Sequence, residues 1–274
     1  MHTRLPALIA GLLVICITAP AASAPVLPHG ASYVALGSSF AAGPGIPTQQ
    51  ATCGRSDHNY PHLVAAMLGL VLTDVSCGGA TTANVLDTPQ GDAALQLTAL
   101  TADTALVTLT IGGNDLTYSA STIRCGGASA EDRCAAKLDH AAIDEAAERL
   151  PARLADVIDA IRAKAPTAII VVVPYPRVIP PAAERCSAVG LVDQDADYFA
   201  ALGLRLEEAL TSVATARAAL LADAFPLSAG HGPCAADADR WVNGAKAAGS
   251  GVSFHPTAKG HEEMAWLVLA ALQK

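Results

Sequence analysis

Four short segments of this chain hold side chains suited to acyl transfer, and each segment contains a glycine or a proline. In the first, residues 37–40 (Gly-Ser-Ser-Phe) follow an apolar run, and Ser39 lies at a predicted strand-to-helix turn. Ligands of open α/β sheets bind at the carboxyl ends of strands, so Ser39 is the candidate nucleophile. Serines at such a turn also serve simply to cap a helix, and this segment alone favours neither interpretation.

The second and third segments could supply hydrogen-bond donors to a developing oxyanion. Gly79 lies in residues 76–82 (Ser-Cys-Gly-Gly-Ala-Thr-Thr), where a glycine allows a backbone N–H group to approach a substrate oxygen closely. Asn114 follows two glycines at the end of another apolar run, and its amide can point at the same oxygen. Asp115 is expected to cap or brace the segment after it. Taken singly, both segments are also compatible with ordinary turns.

The fourth segment, residues 253–261 (Ser-Phe-His-Pro-Thr-Ala-Lys-Gly-His), contains the candidate base. Pro256 can fix the start of the C-terminal helix, which would hold His255 in the loop just ahead of it. A serine nucleophile needs a base, and His255 is the histidine whose position is most constrained. His261 is expected to be structural or exposed. Three other histidines lie on helical patterns without an evident partner: His58, His62 and His140.

Apolar segments alternate with helical patterns along the chain, which is typical of a parallel sheet flanked by helices. The clearest strand is 168–173, because its β-branched run suits a strand that is buried on both faces. The pattern predicts a doubly wound α/β domain, a three-layer sandwich with a central parallel sheet between helices. Other strands are predicted at 33–36 and 106–111, and less clearly at 72–76 and 220–225. Helices are predicted at 62–70, 139–165, 198–219 and 257–272, with Pro151 as a break or a second start.

The composition excludes two classes of protein. The chain has 17 Lys+Arg against 25 Asp+Glu and a net charge of −8, which argues against a nucleic-acid binder because phosphate recognition needs clustered positive charge. With 52% hydrophobic and 15% charged residues, the 274-residue chain is too apolar to be disordered and long enough to bury a core. A folded protein follows, and we expect a monomer.

Residues 1–24 are predicted to be a secretory signal peptide. Arg4 precedes an apolar run at 5–17, and small residues dominate 19–24. The run is shorter than the roughly 20 apolar residues that span a membrane. Ile15 is not the small residue that a lipoprotein signal requires, so Cys16 is not expected to carry a lipid. The sequence therefore predicts a secreted protein without a stable membrane anchor and with one domain over 25–274.

Removal of the leader reduces the seven cysteines to six, an even number that is typical of disulfides in an exported chain. None of the six has the CxxC spacing of a zinc site, and we expect neither a metal nor another cofactor. The six cysteines allow many pairings. Chain order suggests three local pairs: Cys53 with Cys77, Cys125 with Cys134, and Cys186 with Cys234.

In their order along the chain, the four segments resemble the sequence blocks of the SGNH (GDSL) hydrolase family. The likeness extends over nearly the whole mature chain and is greatest to secreted actinobacterial lipases and esterases, which look similar at 53–56 and 59–61. It implies that Ser39 is the nucleophile and His255 the general base. It also implies an oxyanion hole made by the backbone N–H groups of Ser39 and Gly79 and the side chain of Asn114. These relatives share six cysteines paired in chain order, which supports the pairing suggested above.

Two positions depart from the family pattern. The Asp of the family's Gly-Asp-Ser-Leu block is Ser38 here, so a hydroxyl must replace the bracing of that carboxylate. The Asp that usually lies three residues before the catalytic histidine is Val252. A backbone carbonyl can also fix the tautomer of an imidazole, and we expect the Val252 carbonyl to accept from Nδ1–H of His255. The alternatives are that Asp237 or Asp239 folds back onto His255 and supplies the carboxylate, or that the enzyme has lost most of its activity.

The leading hypothesis is a secreted serine carboxylester hydrolase that acts through an acyl-enzyme on lipid or other apolar esters. A carbohydrate acetylesterase is the alternative within the same chemistry, although 4% aromatic residues argue mildly against a sugar-stacking cleft. A catalytically silent binding protein on the same fold is the alternative from another class, and Val252 is its best support. Residues 117–123 and 178–192 are candidates for lining the cleft.

Overall fold

The computed structural model describes residues 27–49 and 53–274. The predicted signal peptide, 1–24, lies outside the described residues, as does Cys16. Within the described ranges, no helix is long and apolar enough to cross a membrane.

Five parallel strands form the central sheet in the order β2-β1-β3-β4-β5. Leu36 pairs with Leu109, which in turn pairs with Val172, so β1, β3 and β4 end at the same edge of the sheet. The order reverses between β1 and β3, and the crevice at such a reversal is where open α/β sheets bind ligands. The strands are β1 Ser32–Gly37, β2 Val71–Asp74, β3 Thr104–Thr110, β4 Ile169–Val172 and β5 Leu220–Leu221.

Side chains alternate between the two faces of the sheet along each strand, so both faces carry apolar side chains. Helices cover both of these faces. Tyr33 and Ala35 of β1 pack in one apolar cluster with residues of α2 and α8, whereas Val34 and Leu36 pack in the other with residues of α5 and α6. These layers confirm the predicted three-layer α/β sandwich. The helices are α1 Ser39–Ala42, α2 Tyr60–Leu68, α3 Thr82–Leu86, α4 Tyr118–Cys125, α5 His140–Lys164, α6 Asp193–Ala216, α7 Ala224–Leu227 and α8 Ala258–Ala271. Single 3₁₀ turns lie at Gln96–Ala99, Ala130–Asp132, Ala135–Lys137, Ala182–Glu184 and Ser187–Val189.

Several predicted boundaries differ from the structure. Helices α2 and α6 begin at Tyr60 and Asp193, before the predicted starts at 62 and 198, and β2 ends at Asp74 rather than at 76. Pro151 neither ends α5 nor starts a second helix, because buried Leu150 and Leu154 continue the same packing face across it. The strand predicted at 220–225 stops after Leu221. Its second half is replaced by α7, whose first turn is capped by the Asp223 carboxylate accepting from the backbone N–H of Phe225.

Three disulfides join loops of the structure, and their pairs are those that the resemblance implies. The Cys53–Cys77 bond connects the segment after α1 to the loop after β2, where Gly78 also donates to the Cys53 carbonyl at 2.8 Å. The second bond joins the end of α4 to the turn before α5, and the third joins the loops that follow β4 and α7: Cys125–Cys134 and Cys186–Cys234.

The stability of the fold should depend on the charge of Glu207, a buried carboxyl on α6. Burial and the nearby Asp223 raise the pKa of Glu207 from 4.5 to about 7, against the effect of the Thr211 hydroxyl that donates to it at 2.6 Å. A pKa above the unfolded value means that the folded state binds the proton more tightly. The contribution of the protonated Glu207 carboxyl to the free energy of unfolding is therefore complete below pH 4.5. It is lost as the pH rises through about 7. We expect Glu207→Gln to flatten this loss.

Urea unfolding of the wild type and of Glu207→Gln, each at about pH 5 and about pH 8, measures how far the free energy of unfolding falls between the two pH values. Glu208→Gln is the matched control, because Glu208 is the exposed neighbour on the same helix. An unchanged fall in the free energy of unfolding in Glu207→Gln would show that another group causes it.

Candidate active site

Ser39 and His255, 216 residues apart in the chain, meet at the carboxyl edge of the sheet. The Ser39 Oγ lies 2.8 Å from His255 Nε2, and the two residues are only 6% and 4% exposed. Ser39 is the first residue of α1, directly beyond β1. The turn before it requires glycine: Gly37 has φ +144°, and a Cβ there would lie 2.4 Å from the Thr110 carbonyl oxygen. Ser39 therefore lies at the end of β1, as the sequence predicts.

The imidazole of His255 is held in the tautomer that a general base needs. Its Nδ1 lies 2.8 Å from the backbone carbonyl of Ser253, which can only accept, so Nδ1 carries the proton. The lone pair of Nε2 then faces the Ser39 hydroxyl. Burial lowers the pKa of His255, and the hydrogen bond to the Ser253 carbonyl opposes part of that effect. The ring is therefore neutral and ready to accept a proton at neutral pH.

The expected acceptor was wrong by one residue: the carbonyl belongs to Ser253 rather than Val252. The Val252 carbonyl is already occupied, because it accepts from the backbone N–H of His255 at 3.2 Å and from Nδ2 of Asn243 at 3.3 Å. These bonds turn it into the loop, away from the imidazole. Phe254 has φ +55°, a left-handed conformation that is uncommon for a non-glycine residue. In the sequence it lies between Ser253, which supplies the carbonyl, and His255, whose ring that carbonyl supports.

Neither carboxylate considered as an alternative supports the histidine. Asp237 forms an ion pair with Arg240 at 2.9 Å. Among the described residues the Asp239 carboxylate forms no ion pair with a histidine, and its backbone carbonyl lies 2.9 Å from Nδ1 of His231. Throughout residues 27–49 and 53–274, no carboxylate forms an ion pair with His255. The site is a Ser-His pair whose third group is a backbone carbonyl.

Three candidate oxyanion donors come from the loops that follow β1, β2 and β3. The backbone N–H groups of Ser39 and Gly79 donate to no atom of the described residues. Gly79 has φ +82°, a conformation that favours glycine. The Asn114 amide donates to the Ala80 carbonyl at 2.9 Å, which ties the Asn114 loop to the Gly79 loop. Such donors stabilise a developing oxyanion when they are fixed before the reaction begins.

Asp115 braces a different element from the one expected. Its carboxylate accepts from the backbone N–H and the hydroxyl of Thr82, at the start of α3, rather than capping the segment after Asp115 itself. Burial raises the pKa of Asp115, and the hydrogen bonds from Thr82 oppose that rise. A carboxylate at a helix N-terminus is favoured by the helix dipole. Together with Asn114, it fixes the position of the Gly79 loop.

Tyr175, which no pattern in the sequence predicts, supplies the partner of the Ser38 hydroxyl. Its hydroxyl oxygen lies 3.1 Å from Ser38 Oγ and accepts from the backbone N–H of Gly113 at 3.0 Å. Its ring packs against Phe40 with centroids 4.6 Å apart, and Phe40 packs against His255 at 4.7 Å. Burial raises the pKa of Tyr175 to about 12, so the hydroxyl keeps its proton. Its place just beyond β4 puts Tyr175 at the carboxyl edge of the sheet, but that place alone does not predict the contact with Ser38.

We expect Tyr175→Phe to lower kcat about tenfold with little change in KM. The variant keeps the ring against Phe40 but leaves the Gly113 N–H without its acceptor, so the loop that carries Asn114 loses its alignment, and small misplacements are costly in catalysis. Tyr33→Phe is the matched control, since it loses a buried hydroxyl that pairs with Thr108 at 2.7 Å on the other face of the sheet. Equal kcat losses in the two variants would contradict a positioning role for Tyr175.

Four other histidines of the described residues have environments other than a catalytic one. His261 is fully buried, its Nδ1 accepts from the backbone N–H of Tyr60 at 3.1 Å, and burial lowers its pKa to about 3, so it is structural. The three histidines expected to lack partners all have them. His58 contacts the Asp57 carboxylate, His62 contacts Asn59 at 2.8 Å, and His140 contacts the Ala135 carbonyl at 3.0 Å.

Among the residues that the structure describes, one set of side chains has the spacing of a metal site. The sulfurs of Cys125 and Cys134 and a carboxylate oxygen of Asp195 lie within 4.8 Å of one another. Both sulfurs are joined in a disulfide, however, and zinc binds thiolates. This set therefore cannot hold zinc while the disulfide is intact.

A groove of about 460 Å³ begins beside the Asn114 loop and runs between α4 and the start of α5. The predicted stretch 117–123 contributes to it, whereas the stretch 178–192 contributes to two other cavities. The groove is lined by Asp115, Thr117, Ala120, Ser121, Arg124, Leu138, Asp139, Ala142 and Ile143.

Comparison with known proteins identifies the family. Residues 35–263 match the GDSL-like lipase/acylhydrolase family model. The chain is 36% identical to Lipase 2 of Streptomyces coelicolor, over 90% of this chain and 86% of that protein. Among solved structures, it is similar to an extracellular lipase from Streptomyces rimosus (TM-score 0.73, 30% identity, 88% of this chain and 100% of that one). A phospholipase A1 from Streptomyces albidoflavus NA297 is also similar (TM-score 0.70, 29% identity, 89% and 100%). The chain therefore belongs to the GDSL-like lipase/acylhydrolase family.

Proposed function

We propose that this chain is an extracellular serine carboxylester hydrolase that cleaves apolar acyl esters through an acyl-enzyme. The observation that carries the proposal is the 2.8 Å contact between Ser39 Oγ and His255 Nε2, with Nδ1 of the same ring on the Ser253 carbonyl. A serine activated by an oriented base is the arrangement of nucleophilic catalysis. The predicted leader and the three disulfides support export.

In the first half-reaction, Nε2 of His255 takes the Ser39 proton while Oγ attacks the ester carbonyl carbon. The carbonyl oxygen becomes an oxyanion, and we assign its binding to the N–H groups of Ser39 and Gly79 and to the Asn114 amide. The imidazolium then protonates the departing alkoxide, and the alcohol leaves. In the second half-reaction, His255 takes a proton from water, the hydroxide attacks the acyl-enzyme, and the acid is released as Ser39 regains its proton.

The Ser253 carbonyl does part of the work of a triad carboxylate. It holds the Nδ1–H tautomer, and its partial negative charge favours the imidazolium that forms in each half-reaction. A full negative charge would favour that imidazolium more strongly. The absence of an Asp at position 252 is therefore no argument for a silent binding protein, because another acceptor supports the ring.

We assign the groove beside Asn114 to the acyl chain of the substrate. Apolar side chains from both walls, including Ala120, Leu138, Ala142 and Ile143, line it. It begins at Asp115, one residue beyond the proposed oxyanion donor, and this nearness to Asn114 supports the assignment. Burial of each methylene favours binding by about 0.8 kcal/mol.

Filling this groove should shorten the preferred acyl chain. We expect Ala142→Trp to lower kcat/KM for long-chain p-nitrophenyl esters at least tenfold, because each methylene excluded from the groove loses about 0.8 kcal/mol, while acetate and butyrate esters change little. Ala141→Trp is the matched control, since Ala141 is exposed on the same turn of α5 and does not line the groove. Equal effects of both variants at every chain length would place the acyl chain elsewhere.

A fluorophosphonate probe tests the proposed function directly. It should label the wild-type protein covalently, and labelling should vanish in Ser39→Ala. Ser119→Ala, which alters another buried serine, should label as the wild type does. A wild-type protein that folds but remains unlabelled, and that releases no acid from butyrate esters, would refute the proposal.

A further inference from the structure

A second cavity, of about 250 Å³, opens at the same edge of the sheet as Ser39, on its β4–β5 side. One wall belongs to the loop after β4 and includes Arg177 and Glu184. The other wall belongs to the loop after α7, which the Cys186–Cys234 disulfide ties to the first. The carboxyl edge of a doubly wound sheet is where such folds bind ligands. The acyl-transfer steps above leave this cavity without a role.

Arg177 places a cationic group in the wall of this cavity. Within the described parts of the chain, its guanidinium forms no ion pair with a carboxylate, and its buried Nε has no hydrogen-bond partner. The guanidinium carbon lies 4.7 Å from the centre of the Phe225 ring, which holds its orientation. The backbone N–H of Arg177 donates to the Ser228 hydroxyl at 2.7 Å, which fixes the start of the side chain. A half-buried cation without a counterion is costly unless an anion pairs with it.

Two glycines in the opposite wall add backbone donors. The N–H groups of Gly230 and Gly232 donate to no atom of residues 27–49 or 53–274. Gly230 has φ +78°, a conformation found in the backbone loops that bind anions. A guanidinium fork together with backbone N–H groups is suited to the tetrahedral oxygens of a phosphate.

We propose that this cavity binds a phosphate group through Arg177. The proposal rests on the ester-hydrolase function proposed above and deepens it: the phosphate is that of a lipid ester headgroup, so the enzyme discriminates phosphate-bearing esters from neutral ones. Glu184 lies in the same wall without pairing to Arg177, and its negative charge opposes phosphate binding. The site therefore predicts opposite effects for the two charged residues.

The first arm of the experiment compares two lipid substrates with identical acyl chains, phosphatidylcholine and diacylglycerol, in the same detergent micelles. Arg177→Met keeps an apolar stem over Phe225 and removes the charge. It should lower kcat/KM for phosphatidylcholine at least tenfold and leave diacylglycerol and p-nitrophenyl butyrate within twofold of wild type. Glu184→Gln should raise kcat/KM for phosphatidylcholine. Arg149→Met, an exposed arginine on α5, controls for the change in net charge at the micelle surface.

The second arm uses inorganic phosphate in a calorimetric titration of the wild type and Arg177→Met. If phosphate binds the wild type alone but lipid discrimination is unchanged in Arg177→Met, the site takes free phosphate and the headgroup assignment is overturned. If Arg177→Met changes neither binding nor discrimination, the site itself is overturned. Arg177→Lys keeps the charge and serves if Arg177→Met does not fold. Activity of the wild type on p-nitrophenyl butyrate distinguishes failure of this proposal from failure of the ester-hydrolase function. A wild type that does not hydrolyse this ester would contradict the ester-hydrolase function itself.

Discussion

Replacing Ser39 with alanine should lower kcat on the order of 10⁶-fold, and replacing His255 should cost about as much. Neither residue can act without the other, because the hydroxyl is a weak nucleophile until the imidazole takes its proton across the 2.8 Å contact. The double variant should therefore be no slower than either single variant. Single-turnover measurements with p-nitrophenyl butyrate check all three, and fully additive losses would show that the two residues do not act as a unit.

The pH dependence of the wild type gives an independent test of the same base. Burial lowers the pKa of His255 below its ordinary value of 6.5. The base is active when neutral, so kcat/KM should fall only as the pH drops through a midpoint below 6.5, and it should stay level above neutral pH. A midpoint above 7 would point to a carboxylate that supports His255 in solution.

The strands and the core could be predicted because burial on both faces of a parallel sheet demands continuous apolar runs. The run at 168–173 contains β4, Ile169–Val172, and the alternation in β1 separates its side chains into two layers. The end of the edge strand β5 could not be predicted from its apolar run. Leu220–Leu221 pairs on one side only, and the apolar run continues into α7. Local composition does not distinguish those last residues.

The proximity of Ser39 and His255 could be predicted by residue type and position, whereas the groups that support them could not. Ser39 and His255 follow from a strand end and a proline, which are local signals. The identity of the carbonyl on Nδ1 depends on one left-handed residue, Phe254, and a shift of one peptide exchanges Val252 for Ser253. The hydroxyl of Tyr175 reaches Ser38 over 137 positions of the chain, and no spacing rule within one segment reveals such a contact.

Removal of the Asn114 side-chain donor should lower kcat by about 10²–10³-fold, equivalent to roughly 2.7–4 kcal/mol of transition-state stabilisation. The amide is held in place before substrate arrives by its 2.9 Å bond to the Ala80 carbonyl, so its orientation does not have to be found during the reaction. KM should change much less, because the ground-state carbonyl carries little charge. Steady-state kinetics of Asn114→Ala on butyrate esters measure the separation between the two constants.

Asn114→Ala also loosens the Gly79 loop, and Asp115→Asn distinguishes that structural effect from the loss of a donor. Asp115→Asn weakens the other tie to the same loop, at Thr82, while it leaves the Asn114 amide intact. If the donor matters, Asn114→Ala should lose affinity for a trifluoromethyl ketone, whose adduct with Ser39 carries an oxyanion, in parallel with kcat. Asp115→Asn should lose less than tenfold in both. Similar losses in the two variants would mean that Asn114 serves only to hold the loop, and the oxyanion would then rest on the backbone N–H groups of Ser39 and Gly79 alone.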